Sequence, residues 1–155
     1  MELIDVADHD WIPRRRPTDV DWRWRELLGE ACDTLAVVRV PDGAPVALLC
    51  STAPRLLRLP DGPAYRLHYL EVGPPLRGGV VGVFSVAVAA ARALECGAKK
   101  LVLASVAEAC RLYDKTGGKQ RLADGWRVPR GLLPYEFLEE DLHSLREALH
   151  ERRQE

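Results

Sequence analysis

The sequence lacks the features that mark membrane-spanning, metal-binding and nucleic-acid-binding proteins. Its longest apolar run, Val80–Ala91, has about a dozen residues, fewer than the ~20 that span a bilayer. No CxxC pair and no Cys/His pair at zinc spacing occurs among its four cysteines, Cys32, Cys50, Cys96 and Cys110. The net charge of -1 gives no electrostatic attraction to nucleic acid or to a membrane surface. We therefore expect no metal, no nucleic-acid partner and no membrane association.

The N-terminal residues also lack a secretory signal. Residues 1–11 are acidic and contain neither the basic segment nor the apolar segment of a signal peptide. We expect a soluble cytoplasmic protein whose cysteines are small, buried and reduced. With 155 residues, 47% of them hydrophobic and 29% charged, the chain has the size and composition of one globular domain, which we place at 1–155.

Strand and helix patterns alternate along the chain in an order that predicts a mixed α/β sheet. β-branched and apolar segments between turn residues predict strands at 34–40, 46–51, 55–59, 65–72, 100–105, 126–128 and 132–137. Apolar periodicity, capping residues and Gly stops predict helices near 20–30, 80–96, 108–115 and 139–152. The first two strands form a hairpin, and helix 80–96 is the crossover of one βαβ unit. Along strand 65–72, regular alternation places Leu67 and Val72 on opposite faces of the sheet.

The predicted C-terminal helix has one apolar stripe. The leucines that form it are spaced by four and three residues: Leu138, Leu142, Leu145 and Leu149. We expect the stripe to dock on its own domain, and the alternative is a homodimer that pairs two copies of it.

The stretch Tyr65–Gly82, YRLHYLEVGPPLRGGVVG, predicts a strand, a Pro/Gly turn and the start of an apolar helix. The free N–H groups and positive dipole end of such a helix attract an anion, which suggests a phosphorylated cofactor. The alternative is a tight turn with no ligand. A Walker loop is excluded, since Gly79 and Val80 stand where it needs Lys and Ser or Thr. The glycine pattern of a dinucleotide fold, GxGxxG, is absent as well.

Two motifs in this half of the chain resemble the GNAT superfamily of acyl-CoA-dependent N-acyltransferases. The family's pyrophosphate loop starts with Gln or Arg, has Gly three residues later, and ends with Gly or Ala. Arg77 and Gly82 match its first and last positions, Val80 replaces its middle glycine, and Gly78 and Gly79 stand just before Val80. The loop opens the helix after the family's fourth strand, as it does here.

The second motif lies at the expected distance after the first. The family pattern is roughly NxxAxxLYxKxGF, and this sequence has VAEACRLYDKTGG. The matching residues are Ala109, Leu112, Tyr113, Lys115 and Gly117. The resemblance covers residues 34–119 and implies a GNAT-like fold with a mostly antiparallel central sheet, one parallel βαβ crossover and a C-terminal helix.

The resemblance implies transfer of an acetyl group from acetyl-CoA to an amine acceptor by direct attack. It places the CoA pyrophosphate on the loop formed by Arg77, Gly78, Gly79, Val80, Val81 and Gly82. It places the pantetheine arm and the thioester beside backbone groups near Leu70 and Val72, one of which donates to the acyl carbonyl. Tyr113 would be the general acid for the departing thiolate. Glu71 would be the general base, acting directly or through water.

Three departures from the family pattern support an alternative function. Val80 adds a side chain in the pyrophosphate loop, Val106 replaces the usual asparagine, and Gly118 replaces the usual phenylalanine. Residues before the first hairpin are also few for the segment that shapes the acceptor pocket in this family. The alternative is a protein of the same fold that has lost catalysis and acts as a CoA-binding, protein-interaction or regulatory module.

Overall fold

A computed structural model describes residues 2–5, 34–39, 45–51, 55–72 and 77–154. Its strands are β1 (Glu2–Asp5), β2 (Thr34–Arg39), β3 (Pro45–Ser51), β4 (Leu57–Leu59), β5 (Gly62–Val72), β6 (Lys100–Ser105) and β7 (Leu133–Leu138). Its helices are α1 (Val80–Glu95), α2 (Cys110–Lys115, preceded by a 3-10 turn at Ala107–Ala109) and α3 (Glu139–Gln154). The helix expected near 20–30 lies outside the described residues.

The described strands form one mixed sheet. Their order is β1-β2-β3-β5-β6-β7, and β4 pairs with the start of β5. Every pair is antiparallel except β5 with β6, and α1 connects these two parallel strands. The predicted mixed sheet with one βαβ crossover and a C-terminal helix is therefore confirmed.

Two short segments differ from what the sequence predicted. Residues 2–5, for which no element was predicted, form β1 because they find a partner in β2, with Glu2 opposite Arg39. The strand predicted at 126–128 is wrong, since these residues form no ladder. The side chain of Trp126 is buried in a small cluster with Ala64 and Val102 on one face of the sheet, and this packing fixes the segment instead.

Helix α1 packs against the other face of the sheet. Nearly all of its small residues are buried, including Ala89, Ala90 and Ala93, each of which is 0% exposed. Small side chains let the helix axis approach the strands closely. The helix ends at the predicted glycine, Gly97, which has a φ of 81°. The N–H of Ala98 donates to the carbonyl of Ala93 at 3.0 Å, which closes the last turn.

Helix α3 lies against α1 and uses the leucine stripe to do so. Leu142 is 0% exposed and Leu149 is 2% exposed in the main core, and Leu145 packs against that core. The expected docking of the stripe on its own domain is confirmed, so this surface is not open for the alternative homodimer.

The expectation of buried, reduced cysteines is wrong for oxidation state at Cys50 and for burial at Cys96 and Cys110, which are half-buried. Cys50 is disulfide-bonded, whereas Cys96 and Cys110 are free thiols. In the part of the chain that the structure describes, no helix has the length and apolarity needed to cross a membrane.

Candidate functional site

An irregularity in β5 redirects the side chains that face the candidate site. Cys50 of β3 pairs with Tyr69, but the neighbouring Ser51 pairs with Leu67, so His68 is an extra residue in the ladder. Such a bulge moves the later side chains to the opposite face. Leu67 and Val72 are therefore both buried in the core that contacts α1. The prediction that they face opposite sides is wrong.

Beyond the bulge, β5 and β6 separate. The two strands pair only where Ala64–Arg66 lies beside Lys100–Val102. Within the described ranges, the later residues of β5 have no partner strand on that side, so their backbone groups line a cleft. Leu70 and Val72 are two residues apart and therefore present their N–H and C=O groups on the same edge.

A cavity of about 560 Å³ occupies the part of this cleft next to the glycine turn. We call it the larger cavity. Among its lining residues are seven of the ten predicted site residues: Leu70, Glu71, Val72, Arg77, Gly78, Gly82 and Tyr113. The other three, Gly79, Val80 and Val81, do not line it. Val81 is buried in the core, and Val80 is 50% exposed at the start of α1, so its β-branched side chain does not fill the cavity.

The glycine turn is fixed by side chains from both sides. The Nε of Arg77 donates to the carbonyl of Val72 at 3.0 Å, and the Nζ of Lys115 donates to the carbonyl of Gly78 at 3.3 Å. Gly78 has a φ of 81°, which favours glycine. Gly79 precedes the helix with no side-chain cap, so the first N–H groups of α1 are not bonded by a capping side chain.

Gly82 has a packing role in addition to its place beside the larger cavity. A Cβ at this position would lie 3.1 Å from Cδ1 of Leu112, a residue of α2. The glycine therefore lets α1 and α2 pack closely, and this contact positions Tyr113, the residue after Leu112.

Positive charge predominates around the larger cavity. Its lining contains three cations, Arg77, Arg111 and Lys115, and two carboxylates, Glu71 and Glu108. Arg111 was not among the predicted site residues, although its spacing from Lys115 is a usable signal. The two residues are four apart and lie on one face of α2. The arrangement suits a polyanionic ligand.

A second cavity, of about 240 Å³, lies where β5 and β6 first separate. We call it the smaller cavity. Arg66 and His68 line it from β5, and Pro129 and Leu132 line it from the other side. The two cavities share four lining residues, so they meet at a common wall: Leu70, Val106, Ala109 and Tyr113.

Tyr113 is the one ionisable residue in that common wall. Its side chain is buried, and burial raises the pKa of its phenol to about 12. Its ring centroid lies 5.5 Å from that of Tyr135, whose hydroxyl donates to Oδ1 of Asp114 at 2.8 Å. The ring contact positions Tyr113 between the two cavities, and a pKa of about 12 keeps its phenol protonated at physiological pH.

The structure explains the departure at Gly118. A Cβ there would lie 2.7 Å from Cζ of Phe137, a buried residue of β7. The ring of Phe137 therefore occupies the space next to the Gly118 backbone, and no larger residue fits. The N–H of Gly118 donates to the carbonyl of Tyr113 at 2.9 Å, which closes the end of α2.

Val106, which stands where the family pattern has asparagine, still contributes its backbone carbonyl to hydrogen bonds. The carbonyl of Val106 accepts a hydrogen bond from Oγ of Ser105 at 2.7 Å and from the N–H of Ala109 at 3.1 Å. The Val106 side chain is 51% exposed and lines both cavities. It gives the cleft an apolar contact where relatives have an amide.

Residues 119–132, which we call the covering segment, contribute Pro129 and Leu132 to the lining of the smaller cavity. Lys119 exchanges two backbone hydrogen bonds of 2.9 Å with Glu136 of β7. The buried Glu136 carboxylate also accepts from Arg121 at 2.7 Å and lies 3.7 Å from the buried Lys100 ammonium. With Trp126 packed on the sheet, the segment is anchored before it reaches Pro129 and Leu132 at the cavity.

This arrangement of a bulged strand, a diverging parallel pair and a glycine turn opening α1 is that of the GNAT N-acyltransferases, and the chain has their fold. The resemblance seen in the two motifs is thereby confirmed for the fold. No family model and no curated protein matches the sequence itself.

Solved structures match this fold at low sequence identity. A bacterial toxin has a TM-score of 0.66 at 12% identity, and the match covers 94% of this chain and 96% of the toxin chain. A provisionally named acyl-CoA N-acyltransferase from Klebsiella pneumoniae has a TM-score of 0.60 at 19% identity, with 88% and 96% covered. AtaTR bound with AcCoA has a TM-score of 0.59 at 14% identity, with 93% and 96% covered.

Proposed function

We propose that this protein is an acetyl-CoA-dependent N-acetyltransferase. The observation that carries the proposal is the cleft between β5 and β6, in which a cation-lined larger cavity meets a smaller cavity at Tyr113. Two substrates that enter from opposite sides would meet at this wall. The structure of AtaTR bound with AcCoA, a protein of the same fold, supports acetyl-CoA as one of them.

In this proposal the larger cavity holds the cofactor. The pyrophosphate binds at the turn formed by residues 77–82, of which Arg77, Gly78 and Gly82 line the cavity, next to a helix start that has no side-chain cap. The exposed position of the Val80 side chain is compatible with such binding. The pantetheine arm follows the free edge of β5, and a backbone N–H near Leu70 or Val72 donates to the acyl carbonyl.

The proposed reaction is a direct attack. The neutral amine forms a C–N bond to the acetyl carbonyl carbon, the C–S bond breaks, and the electron pair leaves with sulfur. Because a pKa of about 12 lies above the ~8.5 of an ordinary thiol, Tyr113 stabilises the departing thiolate by donating a hydrogen bond rather than by giving up its proton. The proton lost from the attacking nitrogen leaves through a base.

Glu71 is the proposed base, and it acts through water. It is half-buried and lines the larger cavity but not the smaller one, so a direct contact with an amine in the smaller cavity is not expected. A bridging water is a common route for proton transfer over such a separation.

Acetyl-CoA binding and turnover test the proposal. We expect acetyl-CoA at about 100 times its Kd to stabilise the fold by about 2.7 kcal/mol, measured as a rise in Tm. We also expect amine-dependent release of free CoA thiol. No rise in Tm at millimolar acetyl-CoA, with the protein shown to be folded, would rule the proposal out. Binding without thiol release from a broad amine panel would favour the alternative, a non-catalytic CoA-binding module.

Removing the α2 cations should weaken cofactor binding. In the variant Arg111→Gln/Lys115→Gln, we expect the Kd of acetyl-CoA to rise about tenfold, because each lost charge-assisted contact is worth about 1.5–3 kcal/mol before solvent screening. Titration calorimetry at low salt measures this. Arg146→Gln on α3 is the matched control, and its Kd should be unchanged. A double variant that binds as tightly as the parent would contradict this assignment.

A further inference from the structure

The smaller cavity has an unusual charge balance for a site that accepts an amine. Among the residues that the structure describes, its lining contains Arg66 and His68 but no aspartate and no glutamate. A cavity that selects a polyamine needs carboxylates to pair with the additional ammonium groups of that substrate. The described part of the lining offers none, so it disfavours a multiply charged cation.

Arg66 is a cation held in place without a carboxylate partner. Its guanidinium carbon lies 6.0 Å from the centroid of the Trp126 ring, and it forms no ion pair with any described residue. The nearby cations Lys100 and Arg121, in contrast, are both paired with Glu136. A planar guanidinium that is oriented by an aromatic ring and lines a cavity is suited to bind a carboxylate or a phosphate.

The covering segment adds further positive charge on the same side. Residues 119–132 contain four cations and a single acid, Asp124. Two of the cations, Arg127 and Arg130, flank Pro129, which lines the smaller cavity. Neither arginine forms an ion pair within the described residues. Anions approaching this face would therefore be attracted, and cations repelled.

We infer that the acceptor is a small amine that carries a carboxylate or a phosphate near its amino group, with Arg66 as the residue that binds the anion. This inference rests on the proposed function, since it assigns the smaller cavity to the acceptor. At about 240 Å³ the cavity is below the ~300–1,000 Å³ typical of drug-sized ligands, which agrees with a small acceptor. The anion contact would orient the amino group toward Tyr113.

Binding experiments test this inference even if no acetyl transfer is observed. Titration calorimetry with CoA present would compare O-phosphoethanolamine and β-alanine with ethanolamine and putrescine. We expect binding of the two anionic amines at least about tenfold tighter than that of ethanolamine, because a charge-assisted hydrogen bond is gained. O-phosphoethanolamine carries a phosphate and β-alanine a carboxylate, so a comparison of their affinities shows which anion the cavity prefers. Equal binding of ethanolamine, tighter binding of putrescine, or no binding of either anionic amine would overturn the inference.

Variants of Arg66 separate charge recognition from folding. In Arg66→Met, the ratio of the affinity for anionic amines to that for ethanolamine should fall about tenfold. In Arg66→Lys the ratio should be partly restored, and Tm is measured for both variants. Arg58→Met, at an exposed arginine on β4 that lines neither cavity, is the matched control and should keep the preference. If Arg66→Met keeps the preference, Arg66 is not the anion site. Failure of the proposed function would be seen separately, as absent acetyl-CoA binding.

Discussion

Tyr113→Phe is expected to lower kcat by about 10²- to 10³-fold while the Kd of acetyl-CoA stays within about twofold of the parent value. The ring would still pack against Tyr135, so the wall between the two cavities would remain. The lost hydroxyl would leave the departing thiolate without its donor, which affects the chemical step alone. Single-turnover release of CoA thiol measures the change.

Tyr65→Phe is the matched control for this prediction. Tyr65 is also buried with a pKa of about 12, but its hydroxyl bonds Ser51 and it lines neither cavity. We expect the Tyr65→Phe substitution to lower the free energy of unfolding by about 1 kcal/mol and to leave kcat nearly unchanged.

The activity of the parent protein should rise with pH as the amine loses its proton. Ionisation of Tyr113 should cause no decrease in activity below about pH 11. An unchanged kcat in Tyr113→Phe would remove Tyr113 from the mechanism.

Glu136→Leu is expected to reduce the free energy of unfolding by about 3 kcal/mol or more. The Glu136 carboxylate and the Lys100 ammonium are buried, whereas the Arg121 side chain is 54% exposed. Removal of the carboxylate leaves the buried Lys100 ammonium with only Asp61 among the described residues. Breaking a buried ion pair from one side costs about 3–5 kcal/mol, because the remaining charge loses its compensation. Urea unfolding followed by circular dichroism measures the loss.

Asp61→Asn provides the comparison within the same network. Asp61 also contacts Lys100, but 56% of its side chain is exposed. We expect a much smaller loss than in Glu136→Leu, as for other exposed ion pairs. Equal losses in Glu136→Leu and Asp61→Asn would show that burial does not set the strength of this network.

The elements with strong local patterns could be predicted from the sequence. Helix α1, its glycine stop at Gly97 and strand β6 follow from apolar runs bounded by turn residues. Strand β1 could not be predicted, because its only reason to be extended is its partner β2. The side chains beyond His68 could not be placed either, because the bulge is a property of the β3–β5 pairing and has no local signature.

The candidate site was predictable where it follows motifs. The two motifs place the turn and Tyr113 together, and the structure brings them to one cavity. The smaller cavity was not predictable, since Arg66 and Leu132 meet there only through the packing of the covering segment. The need for glycine at position 118 could not be predicted either, because it arises from contact with the ring of Phe137, a residue of a later strand.

The anchoring of the covering segment has a consequence for engineering this protein. Its attachment points, Lys119, Arg121 and Trp126, contact Glu136 and the sheet, and none of them lines the larger cavity. Residues 127–132 can therefore be randomised in a library while the attachments and the cofactor half are kept. Under the proposed function, such a library would vary which amines are accepted, and acetyl-CoA binding would serve as a constant internal standard for correct folding.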